Sequence, residues 1–217
     1  MPDLSFRIEQ AEAVPFAAAP LLALRLHVSN WTAEEAIHTV ALRVQIQIDA
    51  TRRRYSAEEQ KGLLDLFGEP ERWSTTLRSM LWTHASVVIP PFHGETSVEL
   101  QIPCTFDFNI AATKYFHSVL EGEIPLHLMF SGSVFYADEH GALQVAPISW
   151  AKETRFMLQA QTWKDMMDFY YPNSAWLCLR RDVFERLLEY KVRNGIPTWE
   201  QALESMIPAR KEEAVGR

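Results

Sequence analysis

The sequence predicts a mainly β (α+β) protein: an antiparallel, immunoglobulin-like β-sandwich with helical insertions and a C-terminal helical hairpin. Apolar and polar residues alternate with a period of two through much of the first half of the chain. Each alternating segment has one apolar and one polar face, which is typical of antiparallel sheets. From residue 163 onward the apolar spacing changes to three and four, which indicates helices.

The strands are predicted from this alternation. Every second residue of 22–28 and 40–48 is Leu, Val or Ile. A register shift of one residue would turn those side chains to water, so the pairing is well specified. Asn30 and the polar residues 32–35 are expected to form the turn between the two strands, an opening that favours the immunoglobulin-like arrangement. Further strands are expected at 4–8, 83–89, 96–102, 126–136, 142–148 and 154–158.

Two helical insertions are predicted between strands, near 57–80 and 110–120. Ser56 and Glu59 have the spacing of a capping box, in which each side chain bonds a free backbone N–H of the other residue. Gly68 is placed to end that first helix, because glycine tolerates the left-handed conformation of a helix cap.

The predicted organisation has three parts. A sandwich core with its insertions occupies 1–160, a helical segment packed on the core occupies 161–207, and a flexible charged tail occupies 208–217. Within the helical segment, Gly195 is expected to end one helix, and Thr198 begins the next with a second capping-box spacing.

Composition and charge narrow the function classes. A chain of 217 residues buries roughly 70% of its unfolded surface, so neither a disulfide nor a metal is needed for folding. The net charge of −7 argues against nucleic acid and against anionic membranes as partners. No signal peptide or membrane-spanning run is present, so we expect a cytoplasmic protein without membrane insertion.

Two local expectations follow from the same setting. Cys104 and Cys178 are expected to be buried and reduced, because cytosolic thiols are kept reduced. The basic run 52–54 is expected to be a solvated strand end, since glutamates follow it closely.

The sequence carries no catalytic or cofactor-binding motif. The seven histidines lack the paired spacing of metal ligands, so no metal and no cofactor are expected. Ser131 and Ser133 flank Gly132 inside a predicted strand, where the glycine indicates a bulge or close packing and not a nucleophile turn. Cys104 with His117 is the remaining hydrolase candidate, but a buried structural thiol is the favoured interpretation.

One cluster is a candidate interaction surface. Seven large side chains occupy fourteen positions: Trp163, Met166, Met167, Phe169, Tyr170, Tyr171 and Trp176. In one interpretation they are core residues that dock the C-terminal helices, because apolar residues at helical spacing usually face a core. In the other they bind a partner, because Trp, Tyr and Met are enriched at protein interfaces.

A resemblance adds a pointer to the partner. Stretches that include Leu-Trp-Thr-His at 81–84 and Tyr-Pro-Asn-Ser at 171–174 resemble an uncharacterised bacterial family, a domain of unknown function. Further matching stretches lie at 2–6, 54–60, 64–73 and 130–136. Members of that family tend to be encoded beside high-affinity nickel–iron uptake hydrogenases. The resemblance therefore implies an accessory role in hydrogenase assembly or support, and it implies no catalytic residues.

Together these observations predict a non-enzymatic accessory or protein-interaction protein. Its partner is expected to be another protein, a hydrogenase subunit or maturation factor if the resemblance holds. The alternative is a small-molecule or lipid-binding β-sandwich module, which a large apolar cavity would favour. A flat exposed aromatic patch would favour the interaction protein, and a hydrolase would need Cys104 and His117 within hydrogen-bond reach.

Overall fold

The computed structural model describes residues 2–32 and 35–207, and the chain is mainly antiparallel β with helical insertions. The described residues form eight strands: β1 Leu4–Ala13, β2 Leu21–Asn30, β3 Ile37–Ile48, β4 Met80–Ile89, β5 Glu95–Pro103, β6 Glu123–Ala137, β7 Leu143–Pro147 and β8 Glu153–Gln159. They also form seven α-helices: α1 Ala57–Gly62, α2 Leu64–Phe67, α3 Trp73–Thr76, α4 Ile110–Ser118, α5 Ala160–Tyr170, α6 Arg181–Arg193 and α7 Trp199–Glu204.

The strands pair in two antiparallel sheets. One has the order β1-β2-β5, and the other has the order β4-β3-β6-β7 with β8 also paired to β6. Strand β6 is long enough to carry two partners on the edge that faces away from β3. Its first half pairs with β8, from Glu123 to Met129, and its second half pairs with β7, from Ser133 to Ala137.

The inner faces of the two sheets contribute to one hydrophobic core. Phe6 of β1 stacks on Phe130 of β6, with ring centroids 4.4 Å apart. The apolar residues of the alternating segments in β2 and β3 are all buried, whereas Arg25 and Arg43 between them are exposed. The predicted inward and outward faces of these two strands are therefore confirmed.

Gly132 of β6 occupies a place where no side chain fits. It pairs with Leu42 of β3, and its φ is +139°. A Cβ atom here would lie 2.0 Å from the carbonyl oxygen of Ala41. The close packing expected of the glycine between Ser131 and Ser133 is confirmed.

The first helical insertion begins with the predicted capping box. The Ser56 hydroxyl accepts the Glu59 N–H at 3.2 Å, and the Glu59 carboxylate accepts the Ser56 N–H at 2.9 Å. After residue 68 the insertion is less helical than expected, with a 3-10 turn at Pro70–Arg72 and the single turn of α3. The insertion ends before Met80, which belongs to β4 and pairs with Ile48.

Arg53 corrects the expectation that the run 52–54 is solvated. Its neighbours in the run are exposed, but the Arg53 side chain is 11% exposed and lies 2.6 Å from a Glu59 carboxylate oxygen. The guanidinium also donates to the carbonyl oxygens of Glu121 and Glu123. A basic run in the sequence does not show that acceptors from distant segments will bind one of its arginines in the folded chain.

The chain divides into two compact units, one ending at Ser174 and the other beginning at Ala175. Helix α5, which the sequence analysis grouped with the C-terminal segment, belongs to the first unit. Its Trp163 side chain is buried and stacks on Phe116 of α4, with ring centroids 5.1 Å apart. The packing of the C-terminal segment on the sandwich stays a prediction.

The second unit contains α6 and α7. Phe184 of α6 contacts the Trp199 ring of α7 at 5.3 Å, and the Lys191 ammonium lies over that ring. The Thr198 hydroxyl caps α7 by accepting the Gln201 N–H at 3.2 Å. The predicted tail at 208–217 lies outside the described residues. Within the ranges 2–32 and 35–207, no helix has both the length and the apolar character needed to cross a membrane.

Candidate interaction site

Helix α5 separates the predicted cluster into a buried and an exposed part. Trp163, Met166 and Met167 are buried in the core, so the packing interpretation applies to these three residues. Phe169 points to solvent and is 59% exposed. Trp176 is also exposed, but it belongs to the second unit, so these seven residues do not lie in one described body.

His117 lies beside the buried part of the cluster, at Trp163. Its imidazole stacks on the Phe106 ring at 6.0 Å and meets the edge of Trp163 at 5.4 Å. The Tyr171 ring also packs on the Phe106 ring, with ring centroids 4.7 Å apart. Burial and the nearby Lys164 ammonium lower the pKa of His117, so its imidazole is neutral at physiological pH.

We call three residues the aromatic patch: Phe16 and Phe169, which are exposed, and Tyr170, which is half-buried against the core. The Phe16 ring is 86% exposed and meets the Phe169 ring edge to face at 5.9 Å. Phe169 meets Tyr170 in the same way at 5.2 Å. The Tyr170 hydroxyl donates to the carbonyl of Val14 at 3.2 Å, which joins the end of α5 to the loop that carries Phe16.

The loop between β1 and β2 holds Phe16 in an unusual conformation. Phe16 has a φ of +57°, in the left-handed region that costs a bulky residue roughly 1–2 kcal/mol. The base of the loop is closed by the Val14 N–H, which donates to Leu21, and by the Cys104 N–H, which donates to Pro20. Phe16 was not among the predicted interaction residues. Its position in the connection between β1 and β2, where a large apolar side chain is unusual, could have indicated it.

Carboxylates border the aromatic patch. Asp165 lies one helical turn before Phe169 on α5, and Asp168 precedes Phe169 directly; both are exposed. The Asp165 carboxylate accepts a hydrogen bond from Gln161 at 2.6 Å. The surface thus combines exposed aromatic rings with negative charge at one side.

Cys104 does not have the surroundings of a nucleophile. Its thiol is buried and donates to the carbonyl of Ile102 at 3.4 Å. Burial raises the pKa of the Cys104 thiol to about 12, which keeps it protonated at neutral pH. Cys178 corrects the expectation of two buried thiols, because it lies exposed in the connection before α6.

The histidines of the strands lie on outer faces and have ordinary polar contacts. His127 of β6 lies 3.0 Å from a Glu153 carboxylate oxygen, and His27 of β2 lies 3.4 Å from the Ser97 hydroxyl. In the part of the chain that the structure describes, no group of three or more His, Cys, Asp or Glu side chains is arranged to hold a metal ion.

A surface cavity of about 820 Å³ lies beside the turn after β6. Its lining includes Asp138, Glu139 and His140, together with Tyr136 and Thr32. Sites for apolar ligands are lined mainly by hydrophobic side chains. Ala36 and Ala137 also line it, so the lining mixes charged and apolar groups and is not mainly hydrophobic as that of a lipid site is.

Comparison with known proteins assigns this chain to a family. The model of a family of unknown function, DUF6084, matches residues 1–215. The comparison with curated proteins gives no match.

Among solved structures, a protein described as ApaA from Bordetella pertussis has 13% identity, a TM-score of 0.26, and coverage of 72% of this chain and 94% of that one. A late embryogenesis abundant protein has 12% identity and a TM-score of 0.29, with 73% and 71% covered. Beta-glucosidase 3B from Thermotoga neapolitana has 9% identity and a TM-score of 0.24, with 72% and 17% covered. TM-scores this low carry no argument about fold or function.

Proposed function

This chain belongs to DUF6084, a family of unknown function. From its own residues, we propose that it is a non-enzymatic protein-interaction module. The aromatic patch of Phe16, Phe169 and Tyr170 is the contact surface. The observation that carries this proposal is the exposed Phe16 ring on a residue at φ +57°. Backbone strain of this kind persists only where the surroundings impose it, and it is concentrated at functional sites.

The partner should present an apolar surface with basic residues along its border. Exposed aromatic rings are typical centres of binding energy at protein interfaces, where they fill apolar pockets of the partner. Asp165 and Asp168 beside Phe169 favour lysine or arginine at the border of the partner's surface, because complementary charges speed and orient association.

The non-enzymatic part of the proposal is supported by the Cys104 thiol, which is buried and protonated at neutral pH. The exposed thiol of Cys178 fits a reducing compartment, and we therefore propose the cytoplasm as the location. The cavity beside Asp138 has a mixed lining of charged and apolar groups, which does not favour the lipid-binding alternative.

We propose that the scaffold is an immunoglobulin-like sandwich. Two features support this: the first, second and fifth strands form one sheet, and the third and sixth strands pair in the other. The fourth strand lies beside the third, as an added strand does in variable-type immunoglobulin domains.

A hydrogenase subunit or maturation factor is the partner to test first, because the sequence resemblance implies it. The tagged protein is expressed in its native host, and co-purifying proteins are identified by mass spectrometry. We compare the wild type with Phe169→Ala, and with Val88→Ala as a control, since Val88 is an exposed apolar residue of β4. Binding is then repeated with the purified partner at low and high salt.

We expect one protein to be retained by the wild type and by the Val88→Ala control, and to be lost with Phe169→Ala. Binding of the purified pair should weaken with salt, because the border contacts are ionic. Equal retention by all three proteins would remove the aromatic patch as the contact surface. Retention of no protein by any of them would remove the interaction proposal itself.

A further inference from the structure

A second aromatic feature lies at the other end of β1. Trp31 follows β2 and Trp150 lies in the connection from β7 to β8, and their side chains are 87% and 90% exposed. Tryptophan is strongly buried on average, so two such exposed rings call for an explanation. Strand β1 has ten residues, which separates this end from the aromatic patch by roughly 30 Å.

Both tryptophan loops meet at Asp3. The Trp31 N–H donates to the Asp3 carbonyl at 3.0 Å, and the Lys152 ammonium lies 2.6 Å from the Asp3 carboxylate. The buried Asn30 side chain holds this junction, because its oxygen accepts the Asp3 N–H and its amide donates to the Thr32 carbonyl. The Trp31 backbone is therefore positioned by a satisfied polar network.

The backbone that carries Trp150 is held on both sides by β6. The Ile148 N–H donates to the Gly132 carbonyl at 2.9 Å, and the Phe130 N–H donates to the Lys152 carbonyl at 2.9 Å. The loop is thereby anchored to the sheet while the indole projects into solvent. Such pre-organisation lowers the entropy cost of binding a ligand.

A groove of about 270 Å³ lies between the start of β1, with Asp3 just before it, and the connection that carries Trp150. Its lining combines apolar walls, which include Leu4 and Ile148, with the Asp3 carboxylate, the Lys152 ammonium and the Ser149 hydroxyl. A mainly apolar concavity with a few convergent polar groups is typical of small-ligand sites.

We propose that this groove, with Trp31 and Trp150, binds a neutral saccharide. The ion pair of Asp3 and Lys152 is balanced in charge, so it favours neither an anion nor a cation. It offers both a hydrogen-bond acceptor and donors, which match hydroxyl groups because each hydroxyl both donates and accepts. The negative faces of the indole rings attract the polarised C–H groups on one face of a pyranose.

The test uses the full chain and neutral linear hexasaccharides of glucose, mannose and N-acetylglucosamine. Binding is measured by tryptophan fluorescence and by calorimetry. We expect at least one hexasaccharide to bind, and we expect Trp31→Ala or Trp150→Ala to weaken that binding about tenfold or more. Phe169→Ala is the matched control, because it removes an exposed aromatic ring from the distant aromatic patch and should bind as the wild type does.

Two results would overturn the proposal: no binding of any neutral hexasaccharide, or binding that both tryptophan variants retain. Both rings are exposed, so the variants should melt as the wild type does by circular dichroism. Lys152→Met provides an independent test, because it keeps the aliphatic stem and removes the donors. It should weaken saccharide binding without affecting partner capture by the aromatic patch.

Discussion

Arg53 and Glu59 form a buried ion pair in which the Arg53 Nη2 and the Glu59 Oε1 atoms lie 2.6 Å apart. The same carboxylate completes the capping box with Ser56 and accepts the N–H of Leu120 at 3.0 Å. One side chain thus joins the start of α1 to the segment between α4 and β6. This carboxylate is one of several contacts that join the first helical insertion to the second, with the hydrogen bond from the Ser118 hydroxyl to the Gly62 carbonyl and the Lys114–Asp65 ion pair.

Glu59→Ala should therefore be strongly destabilising. It leaves the Arg53 guanidinium buried without its counter-charge, which typically costs about 3–5 kcal/mol of the free energy of unfolding. The measurement is urea denaturation followed by circular dichroism. Glu58→Ala is the control, because Glu58 is exposed and its loss should change stability by less than about 0.5 kcal/mol. Equal effects of the two substitutions would contradict the role of the pair.

The pH dependence of stability should follow the same carboxylate. Burial alone would raise the pKa of Glu59, but hydrogen bonds from the Ser56 and Leu120 N–H groups and the Arg53 charge outweigh it and lower that pKa. A lowered pKa in the folded state means stability that is complete above the ordinary carboxyl value and is lost as pH falls through the folded value.

Urea midpoints measured from pH 7 down to pH 3 test this. The wild type should lose stability on acidification, and Glu59→Gln should lose less over the same range, because it has no charge there to neutralise. Asp49 has a lowered pKa as well, since hydrogen bonds from Ser79 and Thr51 and the Arg52 charge outweigh its burial. A residual acid slope is therefore expected in Glu59→Gln, and parallel curves for the two proteins would refute the assignment.

Gly132→Ala should disrupt the pairing of β3 and β6. The added methyl would meet the backbone carbonyl of Ala41 at 2.0 Å, and a paired strand cannot move away without losing ladder hydrogen bonds. We expect a loss of about 3 kcal/mol or more in thermal or urea unfolding. Gly141→Ala is the matched control: Gly141 also has a positive φ, +77°, but it has open space around it, so about 1 kcal/mol is expected.

Phe16→Gly should stabilise the protein while it removes partner binding. Glycine adopts φ +57° without the steric cost, and its own unfolded-state entropy offsets part of the gain, so a net gain of about 0.5–1 kcal/mol is expected. Phe16→Ala separates the two effects, because it removes the ring and keeps the strain. A Phe16→Gly protein that is no more stable than Phe16→Ala would show that the loop carries no strain.

Thiol labelling should distinguish the two cysteines. At pH 8 the native chain should react with Ellman's reagent at one thiol, because Cys178 is exposed, whereas burial raises the pKa of Cys104 to about 12. Unfolding in guanidinium should release the second thiol. A native Cys178→Ser protein should therefore be unreactive, and rapid labelling of that protein would place Cys104 in an accessible site.

The elements that could be predicted from the sequence are those with a local cause. The alternation in β2 and β3 predicts their faces because the side-chain period of a strand is two, and a one-residue shift would expose the apolar set. Ser56 and Glu59 cap α1 at a fixed spacing of three. Gly132 was predictable as a close approach because glycine inside a strand has few other uses.

The rest depended on contacts between distant segments. Helical spacing showed that α5 has an apolar face, but the spacing did not show that Phe169 would lie outside that face. Phe16 meets Phe169 only because the loop after β1 lies beside the end of α5. The partners of Arg53 at Glu121 and Glu123 likewise come from a segment far along the chain.

The position of β6 in its sheet has a consequence for the time course of folding. Paired residues such as Val44 and Phe130 are separated in sequence by two strands and four helices, so closing this ladder requires ordering a long loop first. Non-local pairing of this kind slows folding, typically to roughly milliseconds or seconds. The sheet of β1, β2 and β5 is complete by Pro103, so during synthesis it can form before β6 has left the ribosome. Until then the edge of β3 that pairs with β6 leaves its backbone N–H and C=O groups unpaired, and the newly made chain is at its most prone to aggregation in that interval.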